Sequence, residues 1–590
     1  MAAHATLSQL SDTLATRRAG SAVMMYRDER HSFWREVGGS YASAAANSIA
    51  RAMLCVGVRS GQRVIILADN MPECIYTSLA AYRIGVAVVP VFAATTPSVL
   101  AAAVKLTEAR LIFVGGQEQY DIALSVCANN GGGMLRGIVA YDPDVRLRKG
   151  DHTTRRFAEL TDAFDGRPLT LPYANAATTA DIIFTSGTMG EPRGVEITHS
   201  MYEAGFEANS RVVSLKEGWK ALEYLPYSHV FERAWALFCL RAGVTLAINR
   251  RPSHLQRSLR EVRPEAMCCV PHFWEKLHQA VEMEKAKLPA EEQKDVDHCL
   301  EVGRRRNVEY IDRQRPVPEE LEREYRECDA RTMDKIRRLA GLENARLIPT
   351  AGATVSHQTV EFARACGLPI LVGYGLTETT ATVSCDDFGK PRTPGSAGRP
   401  ISSVELRFGD RNEIQLRGAT ITRGYFHNPG ATQLCFCSDG WFRTGDAGHL
   451  ENGELFITGR IKMLMKTSNG KYVSPEKLES MMNGDPAISQ SVVVAEGRKF
   501  VGALIVASPL VSQTAHSPKE ARAIIGKHIE RLQTDVPPYS RVKRFVIINE
   551  PLSIDNGCLT PTFKVRREAV AKKFANEIET IYDNRKYALL

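Results

Sequence analysis

A layered α/β fold is predicted here, with a large N-terminal domain containing a β-rich subdomain and a small α+β C-terminal domain. Three observations carry it. The chain has 590 residues, more than a single hydrophobic core accommodates. Short apolar runs alternate with helix-period segments over the first two-thirds, the pattern of largely parallel sheets covered by helices. After about residue 395 the alternation gives way to strands and tight turns, and the composition shifts again after Gly459-Arg460.

Taken in order, Val64–Leu67, Leu111–Val114, Gly137–Ala140, Ile182–Phe184, Ala266–Val270 and Pro369–Val372 read as buried strands. The uncharged stretch Ile84–Val104 is long enough to suggest a membrane span. Pro90, Thr95, Thr96, Pro97 and Ser98 break it into a strand, a loop and a helix start. Ser356–Cys366 reads as a helix entered at a Ser cap. Residues 281–342 are dense in Glu, Lys and Arg with few apolar anchors, which suits a solvated helical insertion, with disorder as the alternative. Val404–Phe408 and Glu413–Leu416 read as strands, and Asn452-Gly453 as a hairpin turn. Residues 460–590 end in amphipathic stretches and form the small domain.

Composition narrows the functional classes. The charge of +8 is small for this length, and no Lys/Arg block or aromatic–basic stripe accompanies it, which excludes a nucleic-acid signature. Mild attraction to polyanionic substrates or to an anionic membrane surface, as a peripheral contact, is all it permits. The 13 Cys are scattered; Cys268-Cys269 and Cys435-x-Cys437 have neither zinc nor CxxC spacing. Reduced thiols and a cytoplasmic location are therefore expected. Arg17 and Arg18 precede no apolar segment of signal-peptide type.

The chemistry begins at Phe184-Thr185-Ser186-Gly187-Thr188-Met189-Gly190-Glu191-Pro192-Arg193-Gly194-Val195, after a strand. Glycines let backbone N–H groups turn toward an anion, hydroxyls add donors and Arg193 adds charge. It lacks the GK[ST] ending of a Walker loop. This segment resembles the signature loop of the adenylate-forming superfamily (acyl-CoA synthetases, luciferases and adenylation domains), usually TSGTTGxPKG. Met189 stands where that pattern has Thr, and Arg193 where it has Lys. Arg193 keeps the charge and offers a bidentate phosphate contact.

Further motifs resemble the superfamily in the same order. Gly352-Ala353-Thr354 is similar to the stretch lining adenine, and Tyr374-Gly375-Leu376-Thr377-Glu378 to YGxTE. The resemblance implies that Tyr374 stacks on adenine, Thr377 meets phosphate and Glu378 holds Mg²⁺. Read alone, Thr377 and Glu378 also suit a helix cap with an acid in the first turn. Trp441–Asp446 resembles the motif whose Asp accepts the ribose hydroxyls. In Gly459-Arg460-Ile461-Lys462, Arg460 would contact ribose or phosphate and Lys462 would be the hinge between domains 1–459 and 460–590. Leu559–Lys564 resembles the tail motif with the adenylation lysine, Lys564.

The resemblance implies ATP-dependent formation of an acyl-adenylate with release of pyrophosphate. Domain rotation then allows thioester formation with coenzyme A. The Lys466–Tyr472 segment, with Lys466, Ser468, Gly470 and Lys471, would line the pantetheine tunnel. Tyr224–Arg233 resembles the LPLSHxFER segment of long-chain fatty acid–CoA ligases and places His229 at the channel mouth; its structural reading is a capping or core histidine. Val270–Lys276 resembles that subgroup's VPRxxEK, with His272 in place of Arg. Trp235 reads equally as tunnel wall or core. The expected partners are ATP, a fatty acid and coenzyme A. Loading of a carrier protein and a non-catalytic nucleotide-binding relative are the alternatives, and composition fixes neither oligomeric state nor chain length.

Overall fold

The computed structural model describes residues 6–28, 31–129, 134–186, 192–534, 536–560 and 564–588. A seven-stranded sheet forms the first layer, ordered Thr154–Arg156, Gly137–Ala140, Leu111–Val114, Arg63–Leu67, Ala87–Val91, Thr179–Ser186, Pro192–Thr198. Its pairs are parallel except the last, an antiparallel hairpin. Val64, Ile65, Ile112 and Phe113 are sealed on both faces, which is why their strands read as continuous apolar runs. The stretch that mimicked a membrane span is the strand Ala87–Val91 and the helix Pro97–Thr107, capped by the Thr96 side chain. No helix among the described residues is long and apolar enough to cross a membrane.

A five-stranded sheet follows, ordered Ala266–Met267, Lys220–Glu223, Thr245–Ile248, Ala22–Asp28, Phe33–Gly38. The run expected through Val270 is a strand only over Ala266–Met267. Beyond it Cys269 makes a single bridge to Thr350, and Pro271 opens a helix. A mixed sheet carries Ile370–Tyr374, and a four-stranded antiparallel sheet carries Val404–Phe408, Glu413–Gly418, Phe442–Glu451 and Glu454–Arg460. Asn452 and Gly453 both take positive φ, 50° and 78°, as a two-residue hairpin of strand-matching twist requires.

The charged segment is helical. Ala290–Arg304, Glu319–Cys328 and Asp334–Ala340 surround a small core of Cys299, Val302, Leu321, Cys328 and Met333. Buried Asp312, between Arg364 and Arg392, fastens it to the body. The small C-terminal domain packs the sheet Ile488–Val494, Val501–Ala507, Val542–Ile547 against the helices Pro475–Asn483 and Pro518–Leu532. It docks on the large domain through Ser480 Oγ, which donates to the Thr354 carbonyl at 2.9 Å, and through Gln279 Nε2, which donates to the Ile488 carbonyl at 2.9 Å. All 13 cysteines are free thiols.

Candidate active site

The hairpin register assembles the first half of the site. Asp446 on Phe442–Glu451 lies opposite Arg460 on Glu454–Arg460, so the two side chains meet across the ladder. Arg460 Nε donates to Asp446 Oδ1 at 2.8 Å, and the Tyr374 hydroxyl donates to Oδ2 at 2.7 Å from the end of Ile370–Tyr374. Burial, then Asp446, holds the Tyr374 hydroxyl far above its ordinary pKa. Burial opposes the Arg460 charge, but Asp446 outweighs it and raises the guanidinium pKa.

The chain turns sharply after Tyr374. A Cβ at Gly375 would collide with the Ala381 carbonyl, so only glycine allows this approach. Thr377–Thr379 forms a single short turn. The cap reading shifts by two residues: the Leu376 N–H donates to Thr379 Oγ1 at 2.9 Å, and Thr377 stands inside the turn. Glu378 Oε1 accepts the Tyr425 hydroxyl at 2.8 Å, and Arg193 lies 5.4 Å from the Tyr425 ring centre. Glu378 Oε2 has no partner among the described residues. Tyr425 escaped the reading of the sequence: it is one aromatic in an irregular segment, without periodicity or charge to mark it, and only the Val195–Tyr425 bridge brings it here.

Lys564 reaches the same cleft from the C-terminal domain. Its N–H donates to Thr560 Oγ1 at 3.0 Å, and its carbonyl accepts the Thr560 N–H at 2.8 Å. Solvent reaches its side chain, yet enough protein surrounds the ammonium to lower its pKa. Desolvation is the largest cause and Arg460 the next, against raising contributions from Glu476, Asp446 and Glu378. Lys564 also acts on His229, whose pKa is lowered to about 4 by burial and then by this cation. His229 Nδ1 accepts the Phe231 N–H at 3.2 Å and caps the helix Val230–Ala242. The capping reading and a place beside Lys564 therefore hold together.

That helix walls a cleft lined by Phe206, Phe231, Trp235, Phe238, Leu371 and Tyr374, among others. Trp235 is thus both wall and core, at 7% exposed. Gly352 and Ala353 are exposed, with Gly352 at φ +90°, and the adjoining Ala351 lines the cleft. Thr185 and Ser186 close the strand that leads to the glycine-rich loop. Gly187, Thr188, Met189, Gly190 and Glu191, and the side chain of Ser186, lie outside the described residues, as do Pro561, Thr562 and Phe563.

The expected thiol-tunnel residues are not brought to this cleft in the present arrangement. The Lys466 N–H donates to Glu496 at 2.8 Å, Asn469 donates to the Lys499 carbonyl, and the Lys471 ammonium faces the Tyr539 ring at 5.8 Å, all within the C-terminal domain. The Ser468 N–H donates to the Arg498 carbonyl, and Gly470 takes φ +77° in the turn. Lys462 is exposed in the short turn Ile461–Met463 between the two bodies. His272 pairs with Glu275 within its helix, at 3.4 Å.

Acidic, basic and hydroxyl groups thus adjoin an apolar cleft at a seam between a large and a small domain, an arrangement suited to a charged substrate beside an apolar one. Family comparison agrees. Residues 15–426 match the AMP-binding enzyme family and residues 463–586 match the AMP-binding enzyme C-terminal domain; the chain belongs to this adenylate-forming family. A long-chain-fatty-acid–CoA ligase of Mycobacterium bovis, FadD15, is 29% identical over 93% of each chain. A chloroplastic long-chain-fatty-acid–[acyl-carrier-protein] ligase of Arabidopsis thaliana, AEE15, is 26% identical over 72% of this chain and 64% of its own. The adenylation domain of a Mycobacterium chelonae carboxylate reductase shares the fold, with a TM-score of 0.79 at 18% identity over 98% of this chain and 91% of that domain.

Proposed function

We propose that this protein is an AMP-forming acyl-CoA synthetase acting on a long-chain fatty acid, with domains 1–459 and 460–590. The observation that carries the reading is the convergence of Lys564, Glu378, Asp446 and Arg460 beside the cleft walled by Trp235. Each oxygen of Asp446 has accepted one hydrogen bond, and a carboxylate oxygen can accept another, so the ribose hydroxyls can bind without expelling Tyr374 or Arg460. Tyr374, Gly352 and Ala353 border the adenine. Thr185, Ser186, Gly187, Thr188, Gly190, Arg193 and Thr377 serve the phosphates.

A Mg²⁺ ion fits the donor set. The free Oε2 of Glu378 is a hard oxygen, and one carboxylate suits an ion that keeps its waters and arrives with phosphates. When bound, Mg²⁺ would neutralise phosphate charge. The chain's own part is positional and electrostatic. Lys564 meets the charge that grows on the α-phosphate as the carboxylate attacks, and an arriving triphosphate raises its proton affinity by supplying the anions that Arg460 now opposes. His229 is neutral at physiological pH, with Nδ1 occupied as an acceptor, and so offers Nε2–H to the channel mouth. For the second step, rotation about Lys462 would withdraw Lys564 and bring in Lys466, Ser468, Gly470 and Lys471 to line the thiol path.

Carrier-protein loading is the second reading, favoured by the Arabidopsis relative. ATP–pyrophosphate exchange with acids of graded chain length, followed by addition of coenzyme A or holo-carrier protein, separates the two. Exchange that rises with chain length and yields a CoA thioester supports the first. A product only on the carrier replaces it with the second, and no exchange with any acid defeats both.

A further inference from the structure

The segment from Tyr224 to His229 joins the strand Lys220–Glu223 to the helix Val230–Ala242 and is clamped by two buried side chains. Asn70 Nδ2 donates to the Leu225 carbonyl at 2.7 Å, and Asn70 Oδ1 accepts the Tyr227 N–H at 3.0 Å. Glu232 folds back from the first helical turn, and its Oε1 accepts the N–H groups of Tyr224 and Leu225 at 2.7 and 3.2 Å.

Glu232 touches a second acid. Glu223 and Glu232 are both 0% exposed, and their carboxyls lie within hydrogen-bonding contact of each other. No described Lys, Arg or His pairs with either. The titratable groups facing them are Tyr224 and Tyr227 on the loop, Cys239 on the following helix, and Cys268 and Cys269 beyond the strand Ala266–Met267. Glu223 Oε1 and Oε2, Glu232 Oε2 and the Tyr227 hydroxyl find no hydrogen-bond partner among the described residues if both acids are ionised. Two touching carboxylates cannot both stay ionised in a dry interior without a cation.

We propose that Glu223 and Glu232 share a proton and act as positioning residues, holding the Tyr224–His229 loop so that His229 and the cleft mouth stay aligned with Lys564. The alignment rests on the adenylation reading of Lys564 and His229; the shared proton does not. Burial supports the same protonation, raising Glu232 to about 8 and Glu223 well above its ordinary value. Because the folded pair binds protons that the unfolded chain has released, its contribution to stability declines as pH rises from the ordinary carboxylate range through the raised values.

Glu223→Gln tests this, since its amide supplies the N–H that replaces the shared proton. The stability difference between this variant and the parent should move in the variant's favour from about pH 6 to pH 9. The infrared C=O stretch of a protonated carboxyl should also disappear in the variant. Pyrophosphate exchange should survive within about threefold in Glu223→Gln and fall by about thirtyfold or more in kcat in Glu223→Leu. A pH-independent stability difference with no infrared change overturns the shared proton, and equal activity of the Gln and Leu variants overturns the positioning role. His229→Ala with full exchange overturns the His229 assignment alone, because the infrared band does not depend on it.

Discussion

At Lys564 burial and then Arg460 push the proton off, while Glu476, Asp446 and Glu378 oppose them. On the proposed reading, a triphosphate arriving here would make the ammonium the counter-charge of the reaction. Lys564→Ala is therefore expected to slow adenylate formation by about two to three orders of magnitude, the size typical of losing one such donor, while sparing thioester formation from preformed acyl-adenylate. Single-turnover assays of each half-reaction check this. Tyr425 makes a different contribution, fixing Glu378 through one hydroxyl at 2.8 Å. Tyr425→Phe should raise the KM for Mg·ATP by about tenfold to a hundredfold, in keeping with about 1.5–3 kcal/mol for a hydrogen bond to a charged group; an unchanged KM would show that Glu378 needs no such support. Lys564, Glu378 and Asp446 could be singled out in the sequence because the runs around them resemble motifs of the adenylate-forming superfamily. Tyr425 could not, since its role exists only once Val195 and Tyr425 are bridged.

Among the elements, the hairpin around Asn452-Gly453 shows how local rules place chemistry. Two positive-φ residues fix the turn, the turn fixes the register, and the register sets Arg460 against Asp446. The short turn Ile461–Met463 follows at once, so on the proposed reading the strand that ends at Arg460 would lead directly into the hinge. Lys462→Pro locks φ at one value and is expected to leave pyrophosphate exchange within about threefold while cutting thioester formation at least tenfold. Equal loss in both half-reactions would move the pivot elsewhere. The Lys466–Tyr472 segment makes its described contacts within its own domain.

For the whole molecule, acid sensitivity is built into a buried histidine. His199 is 3% exposed, packs edge-on to Tyr82, has neither ring nitrogen bonded among the described residues, and is lowered to about 4 by burial against the opposing pull of Asp181. Its folded value lies below its ordinary value of 6.5. The stability that depends on its neutral form is thus complete above about pH 6.5 and is lost as pH falls toward 4. A shift of this size corresponds to about 3 kcal/mol. His199→Phe keeps an aromatic ring, so its urea midpoint should fall less than the parent's between those pH values; parallel curves would exclude His199 as a source of acid lability.

The sequence by itself determined the layered α/β class, the buried strands and the hairpin turn, because burial patterning and turn chemistry are local; the reactive residues were expected only from the resemblance of their motifs to the adenylate-forming superfamily. It left the charged segment 281–342 open between helix and disorder, and the packing of Cys299, Val302 and Leu321 with the burial of Asp312 decided for helix. The tertiary structure alone joined Lys564 to His229, Tyr425 to Glu378 and Glu223 to Glu232. Each pair but the last is far apart in the chain, and even Glu223 and Glu232 meet only because the intervening loop folds back. The physical reason is the same in every case: an electrostatic contact depends on distance through space, and sequence separation does not set that distance.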